Sequence, residues 1–342
     1  MKLIHVFPLF RRFGGAQKVI MSLYNSFSYE YDSYISSFQS YEEIHEIFRE
    51  KVKKENYITF SFSGLKELKG GIIVSHDRKM TLLLMLLKPI LPFQLIHIAH
   101  GVYYNKKLFS LFPKNIIAVS YAVKRNLTEV FNVKSKNISV IHNGLMDCGS
   151  DVLNINYPKN EKVKILFLGQ IENNKQQLEL VKLLKDNINK DIQIDFAGEG
   201  EGAQDLKAFI DENNLGENFN YIGFQSHVDK LILDYQYVML FSKKEGLGIS
   251  LIEACMMGRP VLAKTIGGSE ACGEICIDGY NGFNINSNGE VIHVINNLSN
   301  INENKYQELC YNARKLYNEK FNKKLMMSRY SAYFDAFKSF HK

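Results

Sequence analysis

The chain has 342 residues, 46% of them hydrophobic and 23% charged, with a formal net charge of +6. That length suits two domains of ordinary size, and the balance excludes a disordered, fibrous or disulfide-stapled chain. The five cysteines (Cys148, Cys255, Cys272, Cys276 and Cys310) form no disulfide framework, and Cys272 and Cys276 lack the second pair of a zinc site, so a reducing cytoplasm is the expected compartment.

In chain order, residues 1–8 read as a strand, without the charged-then-apolar layout of a signal peptide. Short β-rich runs then alternate with helical patterns, which predicts parallel-sheet α/β units. In the first half the expected strands are 3–7, 33–38, 72–75, 94–99, 116–120 and 139–142. A second set is expected at 164–168, 193–197, 220–223, 238–241 and 260–263. Between the sets, residues 147–160 are rich in Gly, Asp, Asn and Pro and form the expected linker. Residues 81–98 are the most apolar stretch, but Lys88, Pro89 and Pro92 interrupt it, which argues against a membrane span and for a core helix over one lying on a membrane surface. The tail, residues 306–340, is helical by pattern, with Tyr311, Leu316, Tyr317, Phe321, Leu325 and Tyr330 at steps of three and four.

Charge divides unevenly. Residues 1–148 carry 20 Lys+Arg against 11 Asp+Glu, and residues 149–342 carry 22 against 25. A basic first half suits an anionic membrane surface or a phosphate-bearing acceptor, or is simply a solvated face. No nucleic-acid recognition motif accompanies it, so nucleic acid is not an expected partner.

Four runs carry candidate chemistry. Phe13-Gly14-Gly15-Ala16-Gln17 follows the first strand and opens a helix, where paired glycines let backbone approach a phosphate or a sugar. Ile96-His97-Ile98-Ala99-His100-Gly101 ends a strand, and its two histidines, three apart, face opposite sides, which argues against a shared metal. Phe167-Leu168-Gly169-Gln170-Ile171-Glu172-Asn173-Asn174-Lys175 sets a cation after the first strand of the second half, where a diphosphate would need one. Finally, Ser242-Lys243-Lys244-Glu245-Gly246-Leu247-Gly248-Ile249 runs into a helix holding Glu253, Ala254, Gly258, Pro260 and Val261 follow, and Glu253 stands among Leu251, Ile252, Ala254, Cys255 and Met256. A carboxylate in such company is costly to bury unless it is hydrogen-bonded or charge-paired. The alternatives are a ligand-binding carboxylate or a core carboxylate paired with Arg259 or Lys264.

The frame S-x-x-E-G-x-G-x-x-x-x-E-A-x-x-x-G-x-P-V, formed by Ser242, Glu245, Gly246, Gly248, Glu253, Ala254, Gly258, Pro260 and Val261, resembles the signature of the retaining GT-B glycosyltransferases of family 4. Weaker matches extend the resemblance over nearly the whole chain: Ala118-Val119-Ser120, Ile141-His142-Asn143-Gly144, Ala197-Gly198-Glu199-Gly200, Tyr221-Ile222-Gly223-Phe224 and Asp278-Gly279-Tyr280-Asn281-Gly282. Four departures stand beside it. Gln17 replaces the Glu of the Gly-Gly-x-Glu loop, and Gln170 and Gln176 replace the Arg and Gly of the G-R-L-x-x-x-K-G motif that Lys175 otherwise matches. The stretch from Gly267-Gly268 to Glu274 is longer than usual.

The resemblance implies an α/β fold of two doubly wound Rossmann-like domains facing a cleft. Residues 1–148 would be the acceptor-binding domain, 149–320 the nucleotide-sugar-binding domain, and 321–342 a helix returning toward the first. It implies an enzyme that moves a hexose-type sugar from a UDP- or GDP-sugar to an oligosaccharide or lipid-linked acceptor in cell-surface polysaccharide synthesis. No metal is expected, since no Asp-x-Asp pair offers a diphosphate clamp, and the expected location is the cytoplasm, peripheral on the inner membrane face. By resemblance, Glu253 would bind the ribose, and the amides around Gly246, Leu247, Gly248 and Ile249, with Lys175 and Gln170, would bind the diphosphate. Glu245 would contact the donor hexose near its reacting centre, and His100, Gly14 and Gly15 would act from the first domain. A non-catalytic GT-B partner subunit is the alternative that Gln170 motivates; a sugar-nucleotide epimerase fits less well.

Overall fold

The computed structural model describes residues 1–11, 14–105, 110–148 and 161–338. These form two compact units, one of residues 1–142 and 327–342, the other of residues 143–326.

The N-terminal unit runs β1 (Lys2–Val6), α1 (Gly15–Phe27), β2 (Asp32–Ser37), α2 (Glu46–Arg49), β3 (Tyr57–Thr59), β4 (Ile72–Ser75), α3 (Arg78–Leu87), β5 (Gln94–Ala99), β6 (Asn115–Ala118), α4 (Tyr121–Phe131) and β7 (Ile138–Val140). Its seven strands are parallel, in the order β3-β2-β1-β4-β5-β6-β7, with Ile4 opposite Tyr34 on one side and Ile73 on the other. Ile4, Val6, Ile73 and Leu95 pack with Met80 and Leu84 of α3. On the other face Ile35 packs with Phe10, Ile20, Tyr24 and Phe48. Covering both faces is what lets the central strands read as continuous apolar runs.

The C-terminal unit runs β8 (Val163–Leu168), α5 (Gln177–Leu184), β9 (Ile192–Ala197), α6 (Ala203–Glu212), β10 (Phe219–Gly223), α7 (Val228–Leu233), β11 (Tyr237–Leu240), α8 (Ile249–Met256), β12 (Val261–Lys264), β13 (Gly282–Ile285), α9 (Glu290–Asn297) and α10 (Glu303–Leu316). Its six parallel strands follow the order β10-β9-β8-β11-β12-β13.

Several expectations need correction. Strands β3 and β13 have no counterpart among the expected strands: β3 is a three-residue edge strand, and β13 begins at Gly282, which the sequence presents as a turn glycine. A Cβ on Gly282 would lie 1.8 Å from the Val261 carbonyl oxygen, so that glycine is there to let two strands approach. The helical tail is not continuous, since a π-helical turn at Tyr317–Phe321 separates α10 from α11 (Lys323–Lys338). Tyr311, read as part of its apolar stripe, is exposed. Beyond the turn, Phe334 of α11 meets Phe27 of α1 edge-on, with 5.2 Å between ring centroids.

The apolar stretch after Arg78 is only partly core. Asp77 caps α3 by accepting from the Lys79 and Met80 amides at 2.8 and 3.0 Å, and Met80, Thr81 and Leu84 are buried, whereas Leu86 and Ile90 are exposed. No helix among the described residues is long and apolar enough to cross a membrane.

The first unit ends at His142, six residues before the boundary read from sequence. Residues 143–148 belong to the second unit because they are tied to its end: Leu145 bridges to Asn322, its carbonyl accepts from the Tyr317 hydroxyl at 2.9 Å, and Asp147 pairs with Arg314 at 2.5 Å. The rest of the expected linker, residues 149–160, lies outside the described residues.

Candidate functional site

In a doubly wound sheet, ligands meet the protein beyond the carboxyl ends of the strands, where the strand order reverses. That point falls between β1 and β4 in the N-terminal sheet and between β8 and β11 in the C-terminal sheet. The loops leaving these four strands hold most of the candidate residues.

In the C-terminal unit, the loop after β8 presents Lys175 and the loop after β11 presents Glu245, and the two side chains form an ion pair. Both are largely buried, Lys175 at 19% and Glu245 at 11% side-chain exposure, and the Ser242 hydroxyl also donates to Glu245 Oε1 at 2.6 Å. A charge-assisted pair with a third donor is held far more firmly than an exposed surface pair. The backbone around it is stitched together. The Lys243 amide donates to the Asn174 carbonyl at 2.7 Å, Lys243 Nζ reaches Asn173 Oδ1 at 2.6 Å, and the Asn174 side-chain amide donates to the Lys244 carbonyl at 3.2 Å. From the loop after β12, the Gly268 carbonyl accepts from the Glu245 amide at 2.9 Å, and the buried Ser269 hydroxyl donates to the Ser242 carbonyl at 2.7 Å.

Gly246 and Leu247 are buried beside this pair, and Gly248 is the residue before α8. Gly248 has φ +93°, and a Cβ there would sit 3.3–3.4 Å from Leu240, Cys272 and Leu251, so both conformation and space select glycine. No side chain caps α8; the Leu251 amide turns back to the Gly248 carbonyl at 3.1 Å, and the Ile249 and Ser250 amides stand ahead of it at the positive end of the helix. Glu253 stands one turn further along and is half-buried, not enclosed as its apolar neighbours suggest. The two cations that a core-paired Glu253 would use are engaged elsewhere. Arg259 donates to the carbonyls of Tyr235 and Leu233 at 3.0 and 3.1 Å, and Lys264 Nζ donates to Gln176 Oε1 at 3.1 Å.

The departures from the lysine motif now have a structural reading. Gln176 occupies a left-handed backbone conformation, φ +61°, the kind glycine adopts without penalty. The buried Gln176 and Gln177 hold the turn instead: Gln176 accepts from Lys264, while Gln177 donates to the Gln170 carbonyl at 2.7 Å. Gln170 itself is exposed. Lys264 lies 4.8 Å from the centre of the Phe241 ring, and partial burial, with the nearby Lys243 cation, holds its pKa below the ordinary lysine value. Close approach of β8 and β9 makes this turn possible, since a Cβ on Gly198 would meet the Gly169 carbonyl oxygen at 2.0 Å and one on Gly200 the Ile171 carbonyl oxygen at 2.2 Å.

In the N-terminal unit, Gly14 precedes α1 in extended conformation and Gly15 opens the helix; no side chain caps it, and the loop before it includes residues 12–13, which are not described. His100 lies just past the end of β5, half-buried. Its Nε2 is 2.9 Å from Nδ1 of His76, which follows β4, and Nε2 of His76 is 3.0 Å from Nδ1 of His5 on β1. Burial lowers all three pKa values, to about 3 for His5 and about 4 for His100, so the rings are neutral at physiological pH. His97 points away from this row and bonds Thr81 Oγ1 at 2.7 Å, as its spacing from His100 requires.

Sequence reasoning missed His76 and His5, which have no motif spacing; only their places at the ends and middles of adjacent strands unite them. It also missed the Lys175–Glu245 pair, whose members are 70 residues apart. Ser242 and Gly268 could be found as parts of the glycine-rich frame, but not as partners of Glu245.

Two doubly wound parallel α/β units, each opening a helix from a glycine at its switch point, are the architecture of the GT-B class. The solved structure of Anabaena HepE in complex with UDP-glucose shares that fold, with a TM-score of 0.79, 17% identity, and 98% of this chain and 100% of that one covered. Residues 153–316, just under half of the chain, match the family model described as Glycosyl transferases group 1. An uncharacterized glycosyltransferase of Methanocaldococcus jannaschii is 27% identical over 272 residues, 71% of this chain and 68% of that protein. The Staphylococcus aureus capsular polysaccharide biosynthesis glycosyltransferase CapH is 27% identical over 155 residues, 44% of this chain and 42% of that protein. The chain thus spans about two thirds of the first relative and under half of the second.

Proposed function

We propose that this chain transfers a hexose-type sugar from a UDP- or GDP-sugar to an oligosaccharide or lipid-linked acceptor in cell-surface polysaccharide synthesis, with retention of anomeric configuration. One observation carries the reading: the Lys175–Glu245–Ser242 cluster sits at the C-terminal switch point beside the uncapped start of α8. Open amides and a lysine suit a diphosphate whose charge grows as the sugar leaves. In this reading Glu253, one turn along α8, accepts from ribose hydroxyls, and Glu245, held by its two donors, meets the sugar near the reacting carbon. His100, Gly14 and Gly15 supply further donor contacts. This arrangement supplies its own electrostatic support for the leaving group, so the reading includes turnover without a divalent metal, which a chelator would leave unchanged.

The basic charge of the first 148 residues suits an acceptor carrying phosphate, or an anionic membrane face. A cavity of about 660 Å³ in the same unit is bordered by Leu9, Arg11, Phe38, Gln39, Glu43 and His45, so its walls mix apolar, cationic and acidic groups. CapH acts in capsular polysaccharide biosynthesis by its name, which supports the class of product, and HepE was solved with UDP-glucose, which supports the class of donor.

The test is to incubate the protein with UDP- and GDP-hexoses and glycan or lipid-linked acceptors, and to follow the products by mass spectrometry. Transfer of the sugar is the expected result. An epimerised nucleotide sugar would reassign the chemistry, and an inert but folded chain would make it the partner subunit of another transferase.

A further inference from the structure

The row of three imidazoles is more than a packed core. His5 is fully buried on β1, His76 is 3% exposed after β4, and His100 is the half-exposed end. The His76 and His100 rings are stacked, with centroids 5.2 Å apart and planes at 21°. Three neutral rings carry three N–H hydrogens, and each of the two N···N contacts needs one. His76 has a single hydrogen to give, so only two arrangements place one hydrogen in each contact. Either the hydrogens point toward His100, leaving the third on its Nδ1, or they point toward His5, leaving the third on His5 Nε2.

His5 Nε2 is buried and has no hydrogen-bond partner. An N–H there would be a donor stranded in the core, the rarer and costlier defect, whereas a bare lone pair is better tolerated. The opposite end is partly open, where water or a ligand can accept. The charged neighbours do not reverse this. The Asp77 carboxylate is committed to the start of α3, and the Arg78 guanidinium lies over the Tyr103 ring at 4.6 Å.

We propose that His76, backed by His5, is a positioning residue that holds His100 in the Nδ1–H tautomer, so that His100 offers a donor to an oxygen of the bound sugar. The assignment of a sugar to His100 rests on the function proposed above; the tautomer does not. A fixed donor favours a hydroxyl or ring oxygen presented as an acceptor, and it keeps a cation out of the site.

The full chain, labelled with ¹⁵N-histidine, tests this by long-range imidazole correlation spectra from about pH 5.5 to about pH 8, the His100 signals being those lost in His100→Gln. Expected is an Nδ1-protonated His100 that does not titrate over this range. An Nε2-protonated or titrating His100 overturns the proposal, whatever the activity. In His76→Phe, which keeps a stacked ring but removes both nitrogens, His100 should become a mixture of the Nδ1–H and Nε2–H tautomers, while burial still holds its pKa low. Its kcat/KM for the donor should fall about tenfold while KM for the acceptor is unchanged. Should that variant fail to fold, the wild-type spectrum still decides. A confirmed tautomer together with full turnover in His100→Gln would retain the row and reject the sugar contact.

Discussion

At its switch point the N-terminal sheet gathers neutral imidazoles, whereas the C-terminal sheet gathers a lysine, a carboxylate and open amides. Both sheets are parallel, and both start a helix from an uncapped glycine, Gly14 or Gly248. The chemistry differs because the burial differs. His5 and His76 are enclosed by neighbouring strands and stay neutral, while Lys175 and Glu245 lie on loops with enough access to keep a charged pair. A charged cluster and a neutral imidazole row can therefore be built from one topology, by setting the depth at which each side chain leaves the strand.

The comparison can be broken most severely at the backbone. Gly198→Ala sets a Cβ 2.0 Å from the Gly169 carbonyl in a residue with φ +144°, and should cost about 4 kcal/mol. Hydrogen exchange should show β8 and β9 losing protection while β1 and β4 retain theirs; equal loss in both sheets would mean that the strain is shared across the chain.

Next in size, Glu245→Gln keeps an acceptor for Ser242 but removes the charge beside Lys175. We expect kcat to fall about 10²–10³-fold with little change in melting temperature. Wild-type turnover would remove Glu245 from the site.

Acid should separate the two sheets. The folded values of His5 and His97, about 3, and of His100, about 4, lie below the ordinary imidazole value, so the unfolded chain takes up protons first as pH falls. Their contribution is complete above about pH 6.5 and is lost progressively toward pH 4, at about 1.4 kcal/mol per pH unit for each histidine. In the C-terminal unit the described histidines, His227 and His293, are exposed. Urea melts at pH 7 and pH 5, followed by exchange in each sheet, should show the loss confined to the N-terminal one.

The smallest expected effect is a gain. Gln170→Arg adds a bidentate cation to the exposed turn after β8 and should tighten nucleoside diphosphate binding about threefold to tenfold, read by titration at fixed salt. Unchanged affinity would place the diphosphate away from this turn.

Much of the fold is legible in the sequence. Strands such as β4 and β5 announce themselves as apolar runs bounded by turn residues, and the frame from Ser242 to Val261 stands out by its glycines and by a carboxylate among apolar residues. What stayed hidden depends on distance along the chain. The edge strand β3 exists because Tyr57 pairs with Ile35, and β13 because Gly282 pairs with Val261; neither has a pattern of its own. Lys175 and Glu245 were readable as residues but not as a pair. His5 and His76 carried no local signal, since the row they form with His100 is a product of strand order alone.

The central claim is a nucleotide site built by the loops of β8 and β11 and by α8. Isothermal titration of the folded chain with UDP, GDP and ADP tests it most directly, each repeated with Glu253→Ala. We predict that one nucleotide binds selectively and that the variant weakens it about tenfold or more, the worth of a hydrogen bond to a charged group. Undiminished affinity in Glu253→Ala, or a folded wild-type chain that binds none of the three, would contradict it.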